Sequence, residues 1–171
     1  EKKYKDFWFF GPVPIDFSQI RTELNLLDYS KLLKQKKYKI GIVFNLDTSK
    51  EPGSHWVLVF IDLSPINNGG VPSLEYFDSV GDKLPKQIEK FLINAQKQLK
   101  KYVKEDQDIP INVNRIAHQK EDSECGVYCL YYIIERLKGR SFLEIIKDIK
   151  RDDVMNDMRE VFFRPYSGKK N

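Results

Sequence analysis

An α+β domain, a small sheet flanked by helices, is the fold class this chain predicts, and three observations predict it. Two stretches, 38–46 and 55–63, are dense in β-branched and aromatic residues and almost free of interruption, as buried strands are. Several other stretches repeat apolar residues at helical spacing. The 171 residues, 41% hydrophobic and 13% aromatic, are enough to bury about 70% of the unfolded surface in one core. A single domain over 1–171 is therefore expected. The first residue is Glu rather than Met, which suits a piece of a longer protein with 1–38 as its N-terminal segment.

The elements follow in order. Residues 1–17 hold Pro12 and Pro14 among aromatics, so extended chain packed on a core is expected there, not helix. Asp16 or Ser18 is placed to cap a helix over about 18–37, with Ile20, Leu24, Leu27 and Leu32 as its apolar stripe. Tyr38 to Leu46 reads as a buried strand. Pro52-Gly53 marks the following loop, and His55 to Leu63 is the most strand-like stretch in the chain. Asn67-Asn68-Gly69-Gly70 turns the chain into a strand from Leu74 to Phe77, completing a hairpin with a generous loop. Gly81 and Pro85 open a long helix with Ile88, Phe91, Leu92, Ala95, Leu99, Tyr102 and Val103 on one face. Ile111 to Ala117 alternates as a short strand. A polar turn then leads into a helix over about 125–137, with Val127, Leu130, Ile133, Ile134 and Leu137 in register and Gly139 as its C-terminal stop. Ser141 and Glu144 have capping-box spacing for a further helix through Ile149. A last helix starts at Asp152 or Asp153, turns Val154, Met158 and Val161 inward, and ends near Arg164-Pro165.

Composition narrows the function. Two cysteines, four apart, and the absence of an Asn-x-Ser/Thr sequon argue against a secreted disulfide scaffold and for a reducing, intracellular compartment. No apolar run nears the roughly 20 residues of a membrane helix, and no signal peptide is visible. The net charge is +4. Lysines at 31–39 and 83–104 would suit nucleic acid or an acidic partner. Solvated helix faces explain them better, because they alternate with core residues at helical spacing.

The chemistry concentrates in 118–133, HQKEDSECGVYCLYYI. Cys125 stands at the start of a helix, where unpaired backbone N–H groups and the macrodipole favour a thiolate. On that ground alone a small buried residue is the commoner meaning of such a cysteine. His55, at the mouth of a core strand, is a strand-end histidine or a general base. Asp78 ends the next strand. If the two strands pair as a hairpin, its carboxylate reaches the imidazole and fixes the tautomer, or else it caps the turn 78–81. Gln119 stands six residues before Cys125, so its amide and the Cys125 N–H would supply two donors for an oxyanion. Gly126 leaves the thiol unobstructed. Cys129 and His118 read as core and strand-end residues. A zinc site from Cys125, Cys129, His55 and His118 is disfavoured, because Cys-x-x-x-Cys on one helix lacks knuckle spacing.

His55-Trp56 at a strand start, Asp78 at the next strand end, then Gln119 and Cys125-Gly126 six residues on, together resemble the SUMO-protease and adenovirus-protease superfamily of cysteine peptidases. The resemblance covers 39–164. Gly41 to Asn45, Gly53 to Trp56, Tyr76 to Ser79 and Glu124 to Tyr128 further resemble the polyprotein-processing branch of asfarviruses and giant viruses. Three features depart from the SUMO-protease pattern: Glu124 stands where Asp usually precedes the nucleophile, the interval from His55 to Asp78 is longer than expected, consistent with an inserted loop over Asn67 to Gly70, and Trp8 lies outside any recognisable substrate-gripping motif. The resemblance implies a papain-like cysteine protease fold of the adenovirus-protease type, with a small mixed sheet and the nucleophile at a helix N-terminus. It implies catalytic residues His55, Asp78, Gln119 and Cys125, with Trp56 roofing a narrow channel for a Gly-Gly substrate beside Gly126. It also implies a monomer acting on a protein substrate, a polyprotein or a ubiquitin-like modifier, with no metal or organic cofactor. Deconjugation of SUMO or ubiquitin, and acetyl transfer by the same catalytic design, stay open as alternatives.

Overall fold

The computed structural model describes residues 3–20 and 22–163. Among them, five strands form one mixed sheet in the order β1-β2-β3-β4-β5: β1 (Phe7–Pro14), β2 (Lys39–Asn45), β3 (Trp56–Asp62), β4 (Ser73–Phe77) and β5 (Ile111–Val113). β2 to β4 are antiparallel neighbours, whereas β1 runs parallel to β2 and β5 parallel to β4. Parallel neighbours need a crossover, and helices supply both. The first crossover is α1 (Phe17–Ile20), α2 (Thr22–Asn25) and α3 (Tyr29–Lys34); the second is α4 (Lys86–Leu99). The chain then adds α5 (Cys125–Leu137), α6 (Phe142–Lys147) and α7 (Asp152–Phe162).

The sheet is buried on both faces, which is why its central strands read as unbroken apolar runs. On one side, Ile40, Ile42, Phe44, Val57, Val59 and Ile61 join Phe17, Leu24, Ile88, Leu92 and Leu99. On the other, Leu58, Phe60 and Phe77 join Val127, Tyr128, Tyr132, Ile145 and Met155. That second layer also encloses a polar network. Arg136 donates through Nε to Glu75 (2.9 Å) and through Nη2 to Asp62 (3.1 Å), and the Tyr132 hydroxyl donates to the same Glu75 oxygen (2.7 Å). No helix of the described residues is long and apolar enough to cross a membrane.

Several boundaries differ from the sequence reading. Residues 7–14 are a sheet strand despite Pro12 and Pro14, because β1 is the edge strand and needs no donor on its outer side. The expected helix over 18–37 breaks into α1, α2 and α3. The Asp16 carboxylate binds the Ser49 amide and hydroxyl rather than capping, and Asp28 instead caps α3 by accepting from Lys31 N–H (3.1 Å). Ile20 is consequently exposed while Leu24, Leu27 and Leu32 are buried. α4 ends at Leu99, and a 3-10 turn carries Tyr102. A second 3-10 turn, Ser64–Asn68, opens the hairpin loop. β5 stops at Val113, because the Asn114 side chain takes the Ile116 N–H (2.9 Å) that a strand would offer a neighbour. α5 buries a wider arc than expected, Tyr128, Tyr131 and Tyr132 included, while Leu130 and Ile134 are only half-buried. On α7 Met155 is the fully buried apolar residue, Met158 packs half-buried on the same core and Val154 is half-buried, whereas Val161 is exposed rather than inward. The capping box of Ser141 and Glu144 forms as expected, and Gly139 takes the left-handed conformation after α5. The expected end at Arg164-Pro165 lies outside the described residues.

Candidate active site

Cys125 is the first residue of α5 and is buried. Its position follows from the local sequence. The polar turn 119–124 cannot continue the apolar periodicity, so the helix begins where that periodicity begins, and the thiol meets the free N–H groups of the first turn. His55 precedes β3 and Asp78 follows β4, and these strands pair antiparallel with Leu58 opposite Phe77. That register brings the entry of one strand beside the exit of the other. His55 Nε2 lies 2.8 Å from Asp78 Oδ1. The same Asp78 oxygen accepts from the Val80 N–H (3.0 Å), so the carboxylate both holds the imidazole and caps the turn. With Nε2 engaged, Nδ1 is the nitrogen left for the hydrogen bond between His55 and Cys125.

The electrostatics follow from these contacts. The Asp78 hydrogen bond, then that with Cys125, hold the His55 imidazolium up to about 10 against the cost of its partial burial. Burial pushes the Cys125 thiol up. Hydrogen bonds from His55 and from the Trp56 and Gly126 amides, with the imidazolium charge, outweigh it and bring the thiol below its ordinary value. Both shifts favour a thiolate–imidazolium pair. Cys129, one turn along, is the opposite case. It is fully enclosed, its Sγ–H donates to the Trp56 carbonyl (3.6 Å), and burial pushes its thiol well up.

Gln119 reaches this group through Ser79, the neighbour of Asp78. It is buried, its Oε1 accepts from the Ser79 hydroxyl (2.7 Å), and its Nε2 donates to the Glu121 carbonyl. Trp56 and Gly126 share a cleft of about 270 Å³ with Cys125, Ser54, Arg159 and Phe163. Trp56 is half-buried; one side of it packs on the core beneath α5, and it also borders a second groove of about 390 Å³ with Pro12, Pro14 and Asn45. A Cβ on Gly126 would meet nothing within 4 Å, so the space beside the thiol is open. A larger cavity, about 880 Å³ between Gly81, Leu84, Ile93 and Arg115, touches none of His55, Trp56, Asp78, Gln119, Cys125 and Gly126.

His118 is not at a strand end. Its ring is buried edge-on against Phe77 (5.5 Å) and Tyr128 (6.3 Å), and burial lowers its pKa. Among the described residues no group of three or more His, Cys, Asp and Glu side chains is placed to hold a metal ion.

Sequence reasoning missed the residues that hold the polar turn. Asp152, at the start of α7, accepts from the Lys120 and Glu121 N–H groups (2.9 and 3.1 Å) and from the Tyr128 hydroxyl (2.9 Å). Arg159 donates to the Ser123 carbonyl (2.6 Å) and pairs with the buried Glu124 carboxylate (3.6 Å). Asn114 donates to the Asp78 carbonyl (2.7 Å). These partners lie 24 to 36 residues apart in the chain, and no local pattern announces them.

Known proteins resemble this chain in sequence and fold. The profile of the Ulp1 protease family, C-terminal catalytic domain, matches residues 16–167. A protein of Acanthamoeba polyphaga mimivirus, named for a thiol protease, is 37% identical over 165 residues, which is 96% of this chain and 52% of that protein. A cysteine protease of African swine fever virus is 31% identical over 178 residues, 95% of this chain and 62% of that protein. The chain thus spans between half and two thirds of the curated relatives it matches. The crystal structure of the African swine fever virus protease superposes with a TM-score of 0.75 at 27% identity, covering 91% of this chain and 60% of that one. The yeast Ulp1 protease domain, at 21% identity and a TM-score of 0.53 over 86% of this chain and 64% of that one, shares the fold. With β2 to β5, the helices and the cysteine at the start of α5 all lying inside the matched span, the chain belongs to the Ulp1 protease family, a family of cysteine-type peptidases.

Proposed function

We propose that this chain is a cysteine endopeptidase that hydrolyses peptide bonds after Gly-Gly sequences and serves to process a viral polyprotein. The observation that carries the reading is the chain of contacts Asp78–His55–Cys125, ending in a thiol held below its ordinary pKa at a helix N-terminus. In the reaction, Cys125 Sγ attacks the glycine carbonyl carbon, and the carbonyl electrons move onto oxygen. The Cys125 N–H and the Gln119 amide stabilise that oxyanion. As the oxyanion collapses, the C–N bond breaks and His55 Nδ1 gives its proton to the leaving amine, leaving a thioester on Cys125. Water, deprotonated by His55, attacks the thioester, releases the carboxylic product and restores the pair. Asp78 keeps the ring in the orientation both steps need. The half-buried Trp56 beside the cleft and the missing side chain at Gly126 favour a substrate strand that is itself without side chains. The viral source of both curated relatives supports the polyprotein assignment.

A second reading, removal of a ubiquitin-like modifier, uses the same chemistry. It is favoured by the name SUMO-1 cysteine protease borne by the relative from another isolate of African swine fever virus, 30% identical to this chain. A panel of Gly-Gly peptides, SUMO and ubiquitin carrying C-terminal electrophiles separates the two by which of them labels Cys125. Cys125→Ala and His55→Ala should each abolish hydrolysis of a Gly-Gly peptide while the circular dichroism spectrum is unchanged. Wild-type rates in either variant would overturn the reading.

A further inference from the structure

We infer that Ser79 is a positioning residue of the reaction, aiming the Gln119 amide at the oxyanion; the inference rests on the cysteine-protease reading above. Ser79 is 1% exposed and directly follows Asp78. Its backbone carbonyl accepts from both the His118 N–H (2.7 Å) and the Gln119 N–H (2.9 Å), and its hydroxyl donates to Gln119 Oε1 (2.7 Å). One residue thus holds Gln119 by main chain and side chain together.

The amide has two N–H groups and one oxygen. The Glu121 carbonyl can only accept, so it takes an N–H, and the oxygen end must face Ser79. With oxygen and one N–H both occupied, the remaining N–H has a single direction, and only that group is free for an oxyanion. Without the Ser79 hydroxyl the buried Oε1 has no donor, and the amide turns about its last torsion in search of one. The fold offers no slack elsewhere, because the turn and the segment it holds are pinned from outside. Gly81 stands at φ 76°, where an added Cβ would lie 3.0 Å from the Ile116 and Ala117 backbone. Asn114 clasps the Asp78 carbonyl from the same segment. The hydroxyl is therefore the only part of Ser79 whose removal leaves the backbone in place.

The test is the kinetics of Ser79→Ala and Ser79→Thr on a Gly-Gly peptide anilide, with Ser79→Ala also made in a Gln119→Ala background. Ser79→Ala should lower kcat about tenfold, a fraction of what deleting an oxyanion donor costs, with KM little changed. Ser79→Thr, which keeps the hydroxyl, should recover most of it. In the Gln119→Ala background the same change should cost nothing further, because the group it aims is gone. Alkylation of Cys125 by iodoacetamide forms no oxyanion and should proceed at the wild-type rate in Ser79→Ala. Wild-type kcat in Ser79→Ala, an undiminished loss in the Gln119→Ala background, or a parallel fall in alkylation would each overturn the inference. Active Cys125→Ala or His55→Ala would instead bring down the protease reading beneath it.

Discussion

His55 carries two hydrogen bonds that pull its proton affinity in the same direction, and that arrangement sets a pH dependence with a definite sign. The imidazolium, held up to about 10, keeps its proton across the neutral range, while Cys125 loses its proton below the ordinary thiol value. The alkylation rate of Cys125 should therefore rise at a pH below that of a free cysteine and then stay level. The proposed reaction needs a proton on His55 for the leaving amine, so peptide hydrolysis should fall again as the pH passes about 10. In His55→Ala the donor and the positive charge are gone while burial remains, so the alkylation midpoint should move to higher pH; iodoacetamide rates across pH 5–11 read both. The two ends of the His55–Asp78 contact were legible in the sequence, because a hairpin's closing register is local information. Ser79 was not legible, because its partner Gln119 is 40 residues away and nothing in a serine declares which amide it will meet.

α7 packs against α5 from the far end of the sequence, and its first residue closes the turn in front of Cys125. Asp152 gathers two backbone N–H groups and a tyrosine hydroxyl on one buried carboxylate, with its own helix N-terminus adding favourable dipoles. Asp152→Ala should destabilise the protein by about 1–3 kcal/mol, since two part-buried backbone N–H groups lose their acceptor while the Tyr128 hydroxyl keeps only the Lys150 and His118 carbonyls, and should lower hydrolysis as the 120–121 turn loosens. Urea unfolding followed by tyrosine fluorescence, beside rates at a temperature where the variant is folded, measures both. Elements bounded by local chemistry were readable from sequence: β3 by its apolar run, α4 by its stripe, α6 by its capping box. Those bounded by distant partners were not. The helix expected over 18–37 is instead broken into pieces: the Asp16 carboxylate is spent on Ser49, across a gap of 33 residues, and Asp28 caps a separate helix, α3.

Across the whole molecule, one sheet separates two layers, and the pair Arg136–Glu75 ties the layer carrying Cys125 to the strand leading to Asp78. Both groups are buried, so the pair is costly to break from one side. Arg136→Met should destabilise the fold by about 3–5 kcal/mol by stranding the Glu75 carboxylate, and adding Glu75→Gln should restore part of that. Denaturant midpoints of the single and double variants test it. The unbroken apolar runs of β2 and β3 made a sheet covered on both faces legible, while the parallel edge strand β1 was hidden by prolines that an edge tolerates. The same layering gives the two cysteines opposite fates. Cys125 opens on a cleft and its neighbours hold its pKa below the ordinary thiol value; Cys129, four residues on, is sealed beneath Trp56, where burial pushes its thiol well up. A folded molecule therefore offers one thiol to a small electrophile and an unfolded one offers two, so the chain carries an internal gauge of its own integrity, written in sulfur stoichiometry.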